Sequence, residues 1–349
     1  MPINVLIVDD SATARAVIRS ALEKDSTINV VGAAQDAFVA RDMIVKLRPD
    51  VICLDVEMPK MDGITFLQKI MTHLPTPVIM VSSLTQSGAK TTLDALNFGA
   101  FDYVSKTHSN VYAGISDMED ELIDKIKQAS KVNPSLLQER MKKSQKHTTS
   151  KVYSLSETTQ KIIVIGASTG GTVALQDLLT RLPKNFPGIV VVQHMPASFT
   201  KGFAQRLDEV CQVDVKEAED GDRVQTGQVL IAPGSHHLQL TRGGGIYRVK
   251  YGDGEAVSGH KPSVDVLFNS AAKFAGANAI GIILTGMGKD GAKGMLAMKN
   301  SGAKTIAQDE KSCVVYGMPK AAVDIDAACF VEPLDNIGSR AISILKQQG

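Results

Sequence analysis

Apolar and polar positions along this chain fall into two repeating patterns separated by a polar stretch. Between residue 3 and about residue 125, short and mainly apolar strand candidates at 4–8, 29–33, 51–54, 78–81 and 101–104 alternate with segments of helical spacing at 12–24, 38–46, 63–71 and 89–97. Unbroken apolar runs of four or five residues mark strands covered on both faces, so this (βα) repeat of about five units predicts a parallel sheet with helices on both sides. A second α/β pattern starts at Ile162, with strands expected at 162–165, 188–193, 228–232, 279–284 and 303–307. Around 238–251, centred on Gly243-Gly-Gly245, a β-hairpin is expected. The fold class is therefore α/β twice over: a (βα)5 domain at 1–125, a linker at 126–158, and a doubly wound, mainly parallel α/β/α domain with a hairpin at 159–349.

Between Lys131 and Lys151 six basic residues face one acidic residue, Glu139, among Pro, Ser, Thr and Gln. Such composition reads as a solvated linker. Over the whole chain 44% of residues are apolar and 21% charged, with a formal net charge of +1. That balance gives no support to nucleic acid as a partner. No apolar run is long enough to span a bilayer, and the start lacks the pattern of a signal peptide. The four cysteines are scattered, with no Cys-x-x-Cys pair, so neither a disulfide framework nor a zinc site is expected. A reduced cytoplasmic setting follows.

In the first half, Asp9 and Asp10 close the first strand, Asp55 the third, Ser82 and Ser83 the fourth and Lys106 the fifth. The carboxyl ends of an open parallel sheet converge on one crevice. Crowded carboxylates there call for a cation, and an all-oxygen donor set suits Mg2+. The segments Val8-Asp-Asp-Ser11, Leu54-Asp-Val-Glu-Met-Pro-Lys-Met-Asp-Gly63, Val81-Ser-Ser83 and Tyr103-Val-Ser-Lys106 resemble a response-regulator receiver domain, which is flavodoxin-like. The resemblance implies phosphorylation of Asp55, with Mg2+ held by Asp10, Asp55 and the backbone carbonyl of Glu57, and Asp9 acting through water. It also implies that Ser82, Tyr103 and Lys106 respond to the phosphoryl group.

The second half carries Gly166-Ala-Ser168-Thr-Gly170-Gly171, a strand turning sharply into a helix with a serine at the corner. That placement exposes a hydroxyl beside spare backbone N–H groups. Of the seven histidines, His194 ends the neighbouring strand, while His236 and His237 follow another strand end and stay open as alternatives. Asp290, in Leu284-Thr-Gly-Met-Gly-Lys-Asp290-Gly291, again follows a strand and could orient an imidazole. Glycines flanking Met287 would let backbone N–H groups approach a reacting carbonyl. Arg206, Asp253 and His260 are candidates to line the pocket.

Gly166–Gly171, Gln193-His-Met-Pro196 and 284–291 resemble the catalytic domain of the chemotaxis protein-glutamate methylesterases of the CheB type. Receiver, linker and catalytic domain occur there in this order. The resemblance implies Ser168 as nucleophile, His194 as base and acid, Asp290 as its orienting partner, and the Met287 N–H as an oxyanion donor, with Thr169 a weaker site candidate. It implies hydrolysis of glutamate methyl esters on chemoreceptors, deamidation of receptor glutamines, and control by a histidine kinase as phosphodonor, with no cofactor for the esterase chemistry. The order Ser…His…Asp differs from that of α/β-hydrolases. A dinucleotide-binding oxidoreductase is disfavoured because Gly-x-Gly-x-x-Gly is absent and Gln193-His194 stands where an acidic residue should. A DNA-binding regulator is disfavoured because the output half is large, α/β and without a concentrated basic face. A receptor-docking protein with a degenerate serine site is disfavoured by the intact Ser, His and Asp.

Overall fold

The computed structural model describes residues 1–83, 86–106, 114–135, 137–138 and 161–347. Most of the expected linker, with His108 and His147, lies outside the described residues. The chain forms two compact units, Met1–Thr148 and Thr149–Gly349.

In the first unit the strands are β1 (Ile3–Val8), β2 (Ile28–Ala34), β3 (Val51–Asp55), β4 (Val78–Ser83) and β5 (Asp102–Lys106). The helices are α1 (Ala12–Leu22), α2 (Ala37–Leu47), α3 (Gly63–His73), α4 (Gln86–Asn97) and α5 (Gly114–Ala129). The sheet is parallel in the order β2-β1-β3-β4-β5. Chain order reverses at β1, which opens a crevice beyond the carboxyl ends of β1 and β3. Leu6, Ile7, Ile52 and Leu54 are fully buried, as unbroken apolar runs require. Ser11, Asp36 and Asp62 cap α1, α2 and α3 by accepting first-turn N–H groups. β4 and β5 run two residues past their apolar runs, because Ser82 pairs with Ser105 and Ser83 with Lys106 in the ladder. Pairing continues on backbone bonds where the side chains have already turned polar for the crevice.

The second unit holds β6 (Ile162–Ala167), α6 (Gly171–Leu179), β7 (Ile189–Gln193), α7 (Ala197–Val210), β8 (Asp214–Glu217) and β9 (Gln228–Ile231). The hairpin strands β10 (His237–Gly243) and β11 (Ile246–Gly252) follow, then α8 (Val264–Phe274), β12 (Ala279–Ile283) and α9 (Ala292–Asn300). The unit closes with β13 (Lys304–Gln308), α10 (Met318–Asp324), β14 (Phe330–Glu332) and α11 (Leu334–Gln347). Seven strands form one parallel sheet in the order β14-β13-β12-β6-β7-β9-β8, with β6 at its centre. The hairpin is a separate antiparallel pair. Its buried residues Leu238, Leu240, Tyr247 and Val249 join Val264, Leu267 and Phe268 of α8 in one core. The apolar pattern does not announce β8 and β14. Both are short edge strands with mostly polar or half-exposed side chains, so neither carries an apolar run.

Candidate active site

Three neighbouring strands deliver the expected residues to one sheet edge. β6 stops at Ala167 and α6 starts at Gly171, so Ser168 stands in the corner, and Gly170 takes the left-handed φ of 75° that the turn needs. Ala167 pairs with Gln193 across the ladder and Gly166 with Ile283. Ser168 and His194 therefore each stand one residue beyond a paired position on adjacent strands. Their backbones are tied together: the His194 N–H donates to the Ala167 carbonyl at 3.1 Å. The buried Gln193 amide donates to the carbonyls of Ser168 at 3.0 Å and His194 at 3.1 Å. On the other side the Ser168 N–H donates to the Thr285 carbonyl at 3.0 Å. The buried Thr285 hydroxyl donates to the Thr169 carbonyl at 3.0 Å and accepts from the N–H groups of Val314 and Val315.

Gly286 presses on this corner. A Cβ there would lie 2.7 Å from the Ser168 Cβ and 2.4 Å from the Met318 sulfur. Its N–H donates to Val315, and its carbonyl accepts from Gly317 and Met318. This pins the strand of loop that presents Met287, whose N–H meets no backbone acceptor among the described residues. Gly286→Ala is expected to displace Ser168 by a fraction of an ångström or more and to lower its acylation about 100-fold, measured by labelling with an organophosphonate.

His194 Nε2 lies 2.8 Å from Asp290 Oδ2. Its ring is stacked on His260 at 3.8 Å with 14° between planes. Nδ1 is buried without a hydrogen-bond partner. With the Nε2 proton given to a carboxylate, Nδ1 carries the lone pair. Asp290 is 1% exposed. It also accepts from the Ser263 hydroxyl at 2.9 Å and from the N–H groups of Val264 at 2.7 Å and Asp265 at 3.1 Å, where α8 begins. Burial pushes this carboxyl up, but the His194 bond and these N–H groups outweigh it and hold Asp290 below the ordinary carboxylate value. A lowered carboxyl stabilises the fold above its unfolded pKa, roughly 3.9, and that contribution disappears as pH falls through the lower folded value. Thermal melts between about pH 5 and pH 2 should therefore lose stability more shallowly in Asp290→Asn than in the parent protein.

The other histidines separate cleanly. His237 is 2% exposed, with Nε2 2.9 Å from the Glu255 carbonyl, while Nδ1 accepts from the Ser263 N–H at 3.1 Å. Both nitrogens are spent on structure. His236 stacks on Tyr251 at 4.5 Å, with Nδ1 2.8 Å from the Ser235 hydroxyl. Of the three lining candidates, His260 reaches His194, Arg206 lies on α7, and Asp253 is exposed after β11. Gln193, Ser263 and Thr285 were not singled out from the sequence. For Gln193 a signal existed, since it is a polar residue ending an otherwise apolar strand beside His194.

In the first unit, oxygens of Asp9, Asp10 and Asp55 gather within 4.8 Å of one another. Lys106 Nζ lies 2.8 Å from Asp9 Oδ2 and 2.9 Å from Asp55 Oδ1. Burial, aided by Asp9, pushes the Asp55 carboxyl up despite the ammonium. Burial works against the charge of Lys106, yet its two carboxylate partners raise it. Three carboxylates against one ammonium leave negative charge in excess, and this hard-oxygen donor set fits Mg2+. Arg15 donates to the carbonyls of Asp9 at 2.8 Å and Asp10 at 3.0 Å, fixing the loop that carries both. Glu57 follows Asp55 by two residues in the loop before α3. Ser82 is fully buried and Tyr103 is 6% exposed. The Lys125 ammonium lies 5.1 Å from the Tyr103 ring centre and donates to the Tyr103 carbonyl.

Residues 163–341 match the CheB methylesterase family model, and residues 5–111 match the response regulator receiver domain. The chain belongs to the CheB methylesterase family. A Sulfurimonas denitrificans protein-glutamate methylesterase/protein-glutamine glutaminase is 60% identical over the full length of both chains. The Escherichia coli protein of the same description is 47% identical over 98% of this chain and 96% of its own. The crystal structure of the Thermotoga maritima CheB methylesterase catalytic domain superposes with a TM-score of 0.52 at 45% identity, covering 53% of this chain and 98% of that one. CheB membership agrees with the two α/β units and with the Ser, His and Asp gathered at one sheet edge. Among the described residues, no helix is long and apolar enough to cross a membrane.

Proposed function

We propose that this CheB-family chain hydrolyses glutamate methyl esters on chemoreceptors to glutamate and methanol, deamidates receptor glutamines by the same steps, and is switched on by phosphorylation at Asp55. The observation that carries the reading is the buried 2.8 Å contact of His194 with Asp290 on the strand end next to Ser168. His194 Nδ1 takes the Ser168 proton as Oγ attacks the ester carbonyl. Asp290 keeps the other nitrogen protonated and stabilises the imidazolium. The carbonyl oxygen, now negative, is met by the Met287 N–H. Collapse expels methoxide, which leaves as methanol with the proton from Nδ1. Water, giving its proton to Nδ1, then attacks the acyl-serine, and Ser168 leaves with that proton as glutamate is released. With a glutamine side chain the leaving group is ammonia. The esterase steps call on no cofactor.

In the receiver, residues 1–125, Asp10, Asp55 and the Glu57 carbonyl would hold Mg2+, with Asp9 acting through water. The metal would offset the charge of the incoming phosphoryl group. Ser82, Lys106 and Tyr103 form the responding set. Of the expected linker 126–158, residues 126–129 complete α5, with Ile126 and Ala129 fully buried, so the linker begins after them, and 159–349 act as the esterase. The partners are methyl-accepting receptors as substrate and a chemotaxis histidine kinase as donor, in the cytoplasm, with neither nucleic acid nor membrane insertion involved. Methanol release from methylated receptor membranes, with and without a small phosphodonor and Mg2+, tests this. Release that ignores the phosphodonor would break the link between the halves.

A further inference from the structure

The steps above use Asp290 but leave a second buried acid unexplained. Asp265 is 6% exposed and is the second residue of α8. The N–H groups that open α8, those of Val264 and Asp265, are both given to Asp290, which stands two residues before α9. The converse also holds. α9 starts after Gly291, which offers no side-chain cap. The Gly294 N–H donates to Asp265 Oδ1 at 2.7 Å. Ser263 is the N-cap of α8, but the first N–H groups of α8 go to Asp290 in the loop leading to α9, and a first-turn N–H of α9 goes to Asp265 on α8, so each acid satisfies N–H groups that would otherwise be orphaned.

We propose that Asp265 is a positioning residue for the esterase reaction, holding the Asp290 carboxylate on His194 through these reciprocal bonds between α8 and α9. The inference rests on the reading of Ser168, His194 and Asp290 given above. An aspartate in a loop can rotate about two bonds. Asp290 is aimed by donors that sit on α8, and the loop carrying it stays against α8 because Asp265 grips the start of α9 in return. The two carboxyls lie close enough for the charge on Asp290 to act on Asp265. Two buried like charges so close are costly. Burial, together with the neighbouring Asp290 charge, pushes the Asp265 carboxyl up, while Asp290 is pushed down. The surroundings thus favour the charge on Asp290, next to the imidazole, over the charge on Asp265. Asparagine keeps an oxygen for the Gly294 N–H and lifts the like charge from beside Asp290. Alanine lifts the charge but keeps no oxygen.

In the full-length protein, Asp265→Ala should lower kcat for methanol release about 100-fold with KM within about twofold, while Asp265→Asn should stay within about threefold of the parent. The far-downfield proton resonance of a histidine–carboxylate bond, assigned by its loss in His194→Gln, should persist in Asp265→Asn and vanish in Asp265→Ala. A folded Asp265→Ala that keeps kcat and the resonance overturns the proposal, as does Asp265→Asn falling as far as Asp265→Ala. Should Asp265→Ala fail to fold, Asp265→Asn decides alone: retention supports the proposal and a loss of about 100-fold overturns it. Methanol release that survives Ser168→Ala would instead overturn the reading of the site itself, whereas the resonance reports the Asp290 contact without turnover.

Discussion

Ser168→Ala is expected to cut phosphodonor-stimulated methanol release by a factor on the order of 10⁴ to 10⁶, and His194→Ala by a similar factor. The two losses should not multiply, because nucleophile and base act in one step: the double variant should be about as slow as either single one. His236→Ala is the internal control. It stacks on Tyr251, with Nδ1 beside the Ser235 hydroxyl, and should stay within about twofold of the parent, as surface changes away from a site usually do. Rate loss in His236→Ala with activity kept in His194→Ala would mean the base had been misassigned. Asp290→Asn should fall between these extremes. It can keep the backbone bonds from Val264 and Asp265, but it removes the charge that stabilises the imidazolium.

Much of this site was legible in the sequence for a topological reason. Ser168, His194 and Asp290 each follow an apolar run, and parallel strands deliver their carboxyl ends to one edge. The receiver was legible on the same grounds, since Asp9 follows β1 directly and Asp55 and Lys106 end β3 and β5. What apolar pattern cannot carry is side-chain orientation. Nothing in the spacing says that His194 presents Nε2 to Asp290 and leaves Nδ1 without a hydrogen-bond partner, or that His260 stacks on its face. Nor does it say that His237 spends both nitrogens on the loop leading to Ser263. These follow from contacts between residues 18 to 96 positions apart that meet through loops, where no periodicity exists to read. The edge strands β8 and β14 escaped because their side chains are mostly polar or half-exposed and leave no apolar run to read.

Asp55→Asn is expected to abolish stimulation of methanol release by phosphodonor and Mg2+, and chelation of the metal should do the same to the parent protein. The stimulation at stake is about 5- to 150-fold, the usual range of coupling between sites. The receiver's own charges explain why so much rides on one carboxyl. Lys106 is now shared between Asp9 and Asp55, at 2.8 and 2.9 Å. Phosphorylation adds roughly −2 charge at Asp55. On the proposed phosphorylation the ammonium should be drawn from Asp9 toward the phosphoryl oxygens, and the buried Ser82 hydroxyl should turn to the same oxygens. Both residues belong to the β4–β5 ladder, where Ser82 pairs with Ser105 and Ser83 with Lys106. A pull at that end is transmitted along a paired backbone to Tyr103, which Lys125 grips by its carbonyl. Lys106→Ala should therefore uncouple phosphorylation from activity while leaving Asp55 able to take up phosphate, a separation readable by comparing phosphate incorporation with methanol release. Removing residues 1 to about 140 distinguishes the sign of control. A fragment faster than the unphosphorylated whole means that the receiver restrains the esterase until Asp55 is modified. A slower one means that phosphorylation builds an active arrangement to which the receiver contributes.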